Sequence, residues 1–260
     1  MLDERWDPMQ GELADGLRLV LAKECAADDV RAAEAQGGLP ALEAALAAFG
    51  LWELPDDPRL RTVAAWELGR ALAPIDVDRL LPGGVTGDVA ARLRWLLDAA
   101  RLTGAAEGLL GLGVDYAKER QQFGRAIGSF QAVANRLVDA ATAVDGAGLL
   151  VKKAAWIAGR ADDLAPTWLF ARMARWKAAD AGRLTATNVH QVMGGYGFAM
   201  EYDCQLFSRR IRRWSARCGR PDDDLAVIGS AVADVDAHGE LSWLWHHDEG
   251  LSLPAWAASP

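Results

Sequence analysis

The sequence predicts an all-α protein built around an antiparallel helical bundle. Composition leans toward Ala, Leu and Arg, which favour helices, while Gly-Asn and Asp-Gly hairpin signals are few. Apolar residues recur at three- and four-residue spacing along the chain. From Asp88 onward the chain reads as successive helices, several of about 30 residues, whose apolar stripes must be buried against one another.

The first helix is expected from Glu12 to Cys25, where Leu13, Leu17, Val20 and Leu21 repeat at helical spacing. A second runs from Leu39 to Phe49 and stops at Gly50, and a third spans Thr62 to Ala73, ahead of Pro74. These form a small N-terminal helical unit over residues 1–75. A connector, 76–87, centres on Pro82-Gly83-Gly84 and carries no run of strands. A helical domain is expected over 88–236. Its helices read as Asp88–Gln122, Ser129–Ala161, Pro166–Met193, Asp203–Arg217 and Asp222–Val235. Glycines 104, 108, 111 and 113 interrupt the first of these. Each costs roughly 1 kcal/mol against alanine inside a helix, so the cluster implies close helix crossing rather than a nucleotide loop. The tail, 237–260, holds Trp243, Trp245 and Trp256, aromatics suited to covering a neighbouring subunit.

Charge and cysteine usage exclude several functions. A net charge of −8 opposes general nucleic-acid binding, which needs clustered cations to neutralise phosphates. The arginines 209, 210, 212, 213, 217 and 220 read as a solvated helix face with inter-helix ion pairs. Three distant cysteines, 25, 204 and 218, form neither a disulfide framework nor a zinc site. His246-His247 lack a third ligand at metal-binding spacing, so no metal is expected. The acidic N-terminus does not resemble a signal peptide, and no run of about 18 uncharged apolar residues marks a membrane span. The reading is a cytoplasmic protein with no membrane attachment.

Two segments carry specific chemistry. The first is Tyr116-Ala-Lys-Glu-Arg-Gln-Gln-Phe-Gly-Arg-Ala-Ile-Gly-Ser-Phe-Gln131, and the second is His190-Gln-Val-Met-Gly-Gly-Tyr-Gly-Phe-Ala-Met-Glu201 with Arg209-Arg210 beyond it. An arginine at a helix end can grip phosphate with paired donors, a phenylalanine can wall a planar ring, and paired glycines let backbone approach a phosphate or ribose. In order and separation these segments resemble the C-terminal helical domain of the acyl-CoA dehydrogenase superfamily, from about Asp88 to Arg217. A weaker similarity to the family's N-terminal domain runs through Ala48-Phe-Gly-Leu51 and Trp66-Glu-Leu-Gly-Arg-Ala-Leu-Ala-Pro74. The resemblance implies an up-and-down four-helix bundle and FAD as cofactor. It implies that Arg120, Phe123, Gln131, Gln191, Gly194 and Gly195 contact FAD, often that of a neighbouring subunit.

The sequence also departs from the family. The usual base is a glutamate soon after the second motif, and that position falls at Cys218; in another branch it lies on the first long helix, here near Arg94. Neither is a carboxylate. Cys218 reads as an unreactive replacement rather than a nucleophile, although Arg217 and Arg220 beside it would favour a thiolate. Arg94 reads as a surface or salt-bridge residue, and Glu201 matches a family glutamate of structural role. The middle β-domain of the family has no counterpart in the short connector. The leading expectation is therefore a subunit of an FAD-dependent acyl-CoA dehydrogenase that desaturates an acyl-CoA thioester. A full-length dehydrogenase-like partner would supply the β-domain and the base, and the chain's FAD would be shared with it. The alternatives are a repurposed dehydratase or cyclase, as a homodimer with its cavity where the flavin was, or a non-catalytic helical interaction protein.

Overall fold

The computed structural model describes residues 6–159 and 165–233, and the architecture is helical. The Trp-rich tail and His246-His247 lie outside the described residues. Four helices open the chain: α1 (Pro8–Glu24), α2 (Ala27–Gln36), α3 (Pro40–Ala48) and α4 (Pro58–Arg70). Asp7 starts α1 through a capping box with Gln10, each side chain accepting from the other's backbone N–H. The expected start at Glu12 therefore falls inside the helix. Helix α2 was not anticipated. Only Val30 and Ala33 of its ten residues are buried, too few to leave a periodic apolar signal. Gly37, at φ +83, ends it in the left-handed conformation.

Helix α5 (Gly87–Glu119), 33 residues long, spans about 50 Å at 1.5 Å per residue. With α6 (Gln131–Ala158), α7 (Ala165–Met193) and α9 (Cys204–Arg217) it forms the expected up-and-down bundle. Helix α8 (Gly195–Phe198) is a single turn between α7 and α9, and α10 (Pro221–Ala233) lies against α7. Between α4 and α5 the chain makes only the short 3-10 turn Val77–Leu80, so no β-domain separates the helical units.

Helix α4 is the keystone. Every residue from Leu60 to Gly69 is buried, between α1 on one side and α5 on the other. Its crossing with α5 is a backbone-to-backbone contact. A Cβ on Gly69 would overlap the Arg101 carbonyl, and one on Gly104 would overlap the Trp66 carbonyl. Further along α5, a Cβ on Gly113 would lie 2.8 Å from Val189 of α7. The glycine cluster thus serves helix packing, as its sequence context implied, although Gly111 has open space around it. Polar ties reinforce the crossing. The Trp66 indole donates to Glu107 at 2.7 Å, and Arg18 holds the buried Glu67 through two hydrogen bonds of 2.8 and 3.0 Å. One continuous hydrophobic core results, running from Leu17 of α1 to Met193 and Trp214.

The expected helix from Asp88 to Gln122 stops three residues early. Arg120 caps α5, and the chain turns through a two-residue ladder, β1 (Gln121–Gln122) and β2 (Arg125–Ala126), the one sheet among the described residues. Phe123 and Gly124 form the tip, both at positive φ (+52 and +78). Two successive left-handed residues are what a tight hairpin requires. A 3-10 turn at Ile127–Ser129 then delays the start of α6 to Gln131.

Candidate functional site

The two motifs meet on one exposed face. The hairpin leaves the C-terminus of α5 and re-enters at the N-terminus of α6, while the second motif closes α7 and turns into α8. The Arg120 guanidinium lies 5.6 Å from the ring centroid of Tyr196, the second residue after Gly194. Tyr116, one turn before Arg120, packs at 6.3 Å from the same ring, and Tyr202 lies 5.1 Å from it. These tyrosines bridge the two motifs, a role that sequence reading missed because no tyrosine among them stood out from its motif.

The six residues expected from the resemblance to contact the cofactor are all exposed. Phe123 is 93% exposed, and the Phe130 ring lies 6.1 Å away at a near-perpendicular angle. A large ring held in the left-handed region is uncommon, and holding it in solvent gains no burial on this chain. Gln131 opens α6, where unpaired backbone N–H groups and the helix dipole favour an anion. Gln191 lies in the last turn of α7. Gly194 adopts φ +59 and ψ −132, which a side chain would strain, and nothing lies within 4 Å of a Cβ built on Gly194 or Gly195. Among the described residues Arg120 makes no ion pair, and the side-chain amides of Gln131 and Gln191 make no hydrogen bond. An unpaired guanidinium, two free amides and open glycine backbone suit the phosphates and polar edges of a dinucleotide. Glu201 is exposed and accepts a hydrogen bond from Arg31 through its carbonyl. His190, beneath this face, packs at 5.3 Å from Phe198, and its Nδ1 is buried without a partner. Desolvation, then the charge of Arg212, lowers its pKa.

Cys218 is not brought to this face. It is buried at the end of α9, donates its thiol to the Trp214 carbonyl at 3.4 Å, and is surrounded by other groups than its sequence neighbours implied. Burial, with the nearby Asp98 adding to it, pushes the thiol up to about 12 despite Arg175 and Arg101. The thiolate that flanking Arg217 and Arg220 would favour is thus opposed by desolvation. Arg94 is exposed and pairs with Asp78 at 2.6 Å, the salt-bridge role expected of it. Beside Cys218, Arg101 is buried in α5, bonded to Asp98 at 2.7 Å and stacked 4.4 Å over the Trp214 ring. Among the described residues no cluster of His, Cys, Asp or Glu could hold a metal, and no helix is long and apolar enough to cross a membrane.

Comparison with known proteins fits this arrangement. The sequence model of the acyl-CoA dehydrogenase C-terminal domain matches residues 92–219, which contain both motifs and the bundle that carries them. The chain belongs to the acyl-CoA dehydrogenase superfamily. It is 36% identical over 173 residues to acyl-CoA dehydrogenase IpdE2 of Mycobacterium tuberculosis, an alignment covering 65% of this chain and 51% of that one. The chain thus spans about half the length of this curated relative. Among solved structures, butyryl-CoA dehydrogenase from Megasphaera elsdenii superposes with a TM-score of 0.53 at 28% identity, over 56% of this chain and 37% of that one. A chain of the ChsE4-ChsE5 complex from Mycobacterium tuberculosis superposes with a TM-score of 0.79, over 90% of this chain and 100% of that one. At 17% identity this second likeness is one of fold, and it extends over the N-terminal helices as well as the bundle.

Proposed function

We propose that this chain is a subunit of a heteromeric, FAD-dependent acyl-CoA dehydrogenase, contributing cofactor contacts and an assembly surface to a partner that carries the catalytic base. The observation that carries this reading is the meeting of Arg120 with the Gly194–Tyr196 turn on one exposed face. Bound there, FAD would supply the hydride acceptor for α,β-desaturation of an acyl-CoA thioester. Arg120 and the N-terminus of α6 would hold phosphate, Phe123 would wall a ring, and Gln131, Gln191, Gly194 and Gly195 would meet the polar edges of the dinucleotide.

The rest of the chemistry falls to the partner. Removing the α-proton of a thioester needs a group that accepts protons near neutral pH, placed against a weakly acidic C–H. The buried, protonated Cys218 cannot do this. The turn between α4 and α5 offers nothing to cover an isoalloxazine ring, so that cover would come from the partner's β-domain. The ChsE4-ChsE5 structure is a complex of two different chains, which supports a hetero-oligomer over a homodimer.

Co-expression with full-length acyl-CoA dehydrogenases of the same organism tests the reading. A stable complex with the absorbance of bound flavin is expected. A colourless chain that never associates with such a partner would overturn it.

A further inference from the structure

A cavity of about 490 Å³ lies away from the exposed face, between the end of α2, the 73–76 segment after α4, and α9. Its size suits a small metabolite. Five arginines line it, at 101, 209, 210, 213 and 217, against two carboxylates, Glu34 and Asp76. Those carboxylates are already engaged. Glu34 takes Arg209 at 3.1 Å and Arg210 at 3.5 Å, and Asp76 takes Arg217 at 3.3 Å. What remains is cationic. Arg213 makes no ion pair among the described residues. Arg101, 2% exposed, bonds Asp98 through one Nη, while its Nε is buried without a hydrogen-bond partner. Arg210 is more fully engaged, its Nε facing Glu34 and one Nη donating to the Leu72 carbonyl at 3.0 Å. A buried guanidinium with an unmet donor is costly, and the cost is removed by an acceptor arriving from the cavity.

We infer that this cavity is a binding site for a small, multiply charged oxyanion, a phosphorylated or polycarboxylate metabolite held by converging arginine forks. Guanidinium groups match the oxygens of phosphate and carboxylate with paired donors, and partial burial strengthens each bond. The Trp214 ring beneath Arg101 fixes the plane of that guanidinium. The site is independent of the flavin-contact reading, because it shares no residue with Arg120, Phe123 or the Gly194 turn.

Calorimetric titration of the purified chain with inorganic pyrophosphate, and separately with citrate, at fixed ionic strength tests this. Saturable one-site binding of at least one anion is expected, and which of them binds more tightly assigns the class. Arg213→Gln removes an exposed arginine free of structural pairing, and should weaken binding about tenfold. Lys118→Gln, on the far end of α5, should leave it unchanged. Absence of saturable binding, or binding as strong in both Arg213→Gln and Arg209→Gln as in the unsubstituted chain, would overturn the assignment. Neither outcome alters flavin content in a partner complex, so the two proposals fail separately.

Discussion

Gly69 and Gly104 lie on the two sides of the α4–α5 crossing, Gly69 set against the Arg101 carbonyl of α5 and Gly104 against the Trp66 carbonyl of α4. A Cβ at either position would occupy a carbonyl oxygen of the other helix, so two backbones rather than two side-chain layers are in contact. Gly104→Ala must therefore push α4 and α5 apart. A loss of about 3 kcal/mol is expected, at the upper end of overpacking costs because backbone cannot rotate away. Urea unfolding measures it. Gly111→Ala, with open space at its Cβ, is the control and should stabilise by up to about 1 kcal/mol.

Cys25, Cys204 and Cys218 should all be inert in the native protein. Burial pushes the first two thiols up to about 11 and Cys218 up to about 12, so each stays protonated until the pH rises through those values. At pH 8 a thiol reagent should label none of them before denaturation and three after it. Rapid native labelling of Cys218 would show that its surroundings are more open than this packing allows.

Stability should fall on mild acidification because of His190. Its folded pKa lies below the ordinary 6.5, since burial disfavours the cation. The unfolded chain therefore binds the proton first. Stability is full above 6.5 and is lost as pH falls from there toward the folded value. His190→Gln should flatten that part of the stability profile, read from thermal midpoints between pH 7.5 and 5.

Asp224 is the anchor of α10. Nearly buried, it accepts from Arg175 at 2.7 Å and from Arg172 at 2.8 Å, both on α7. Asp224→Asn leaves two guanidinium groups without their counter-charge, one of them buried. About 3 kcal/mol of destabilisation is expected in urea unfolding, with early loss of protection in α10 by hydrogen exchange.

The helices α6 and α7 were legible because each buries one stripe that repeats every three or four residues, whereas α5, buried on every side from Leu96 to Ala106, was legible from its length and helix-forming composition. Helix α2 escaped notice since Val30 and Ala33 alone face the core. The hairpin at Gln121–Ala126 was hidden because helix-forming Glu119, Gln121 and Gln122 carry no stop signal ahead of Phe123-Gly124. The candidate contact residues from Arg120 to Gly195 were singled out through their motif resemblance, and the structure brings Arg120 to the turn after Gly194, whereas the tyrosines that join them depend on tertiary geometry. The arginines of α9 do pair with Glu34 and Asp76, as their pattern implied. Their gathering with Arg101 around a cavity could not be read, because Arg101 looks in sequence like any surface arginine of a helix.

The dissociation constant of FAD from the complex with a full-length partner tests the central claim most directly. Replacing Arg120 by Gln in this chain alone removes one charge-assisted grip on phosphate, and flavin binding should weaken about tenfold. If the partner's FAD is held equally well with Arg120→Gln, and with Phe123→Ala, this chain does not reach the cofactor and the proposed role is wrong.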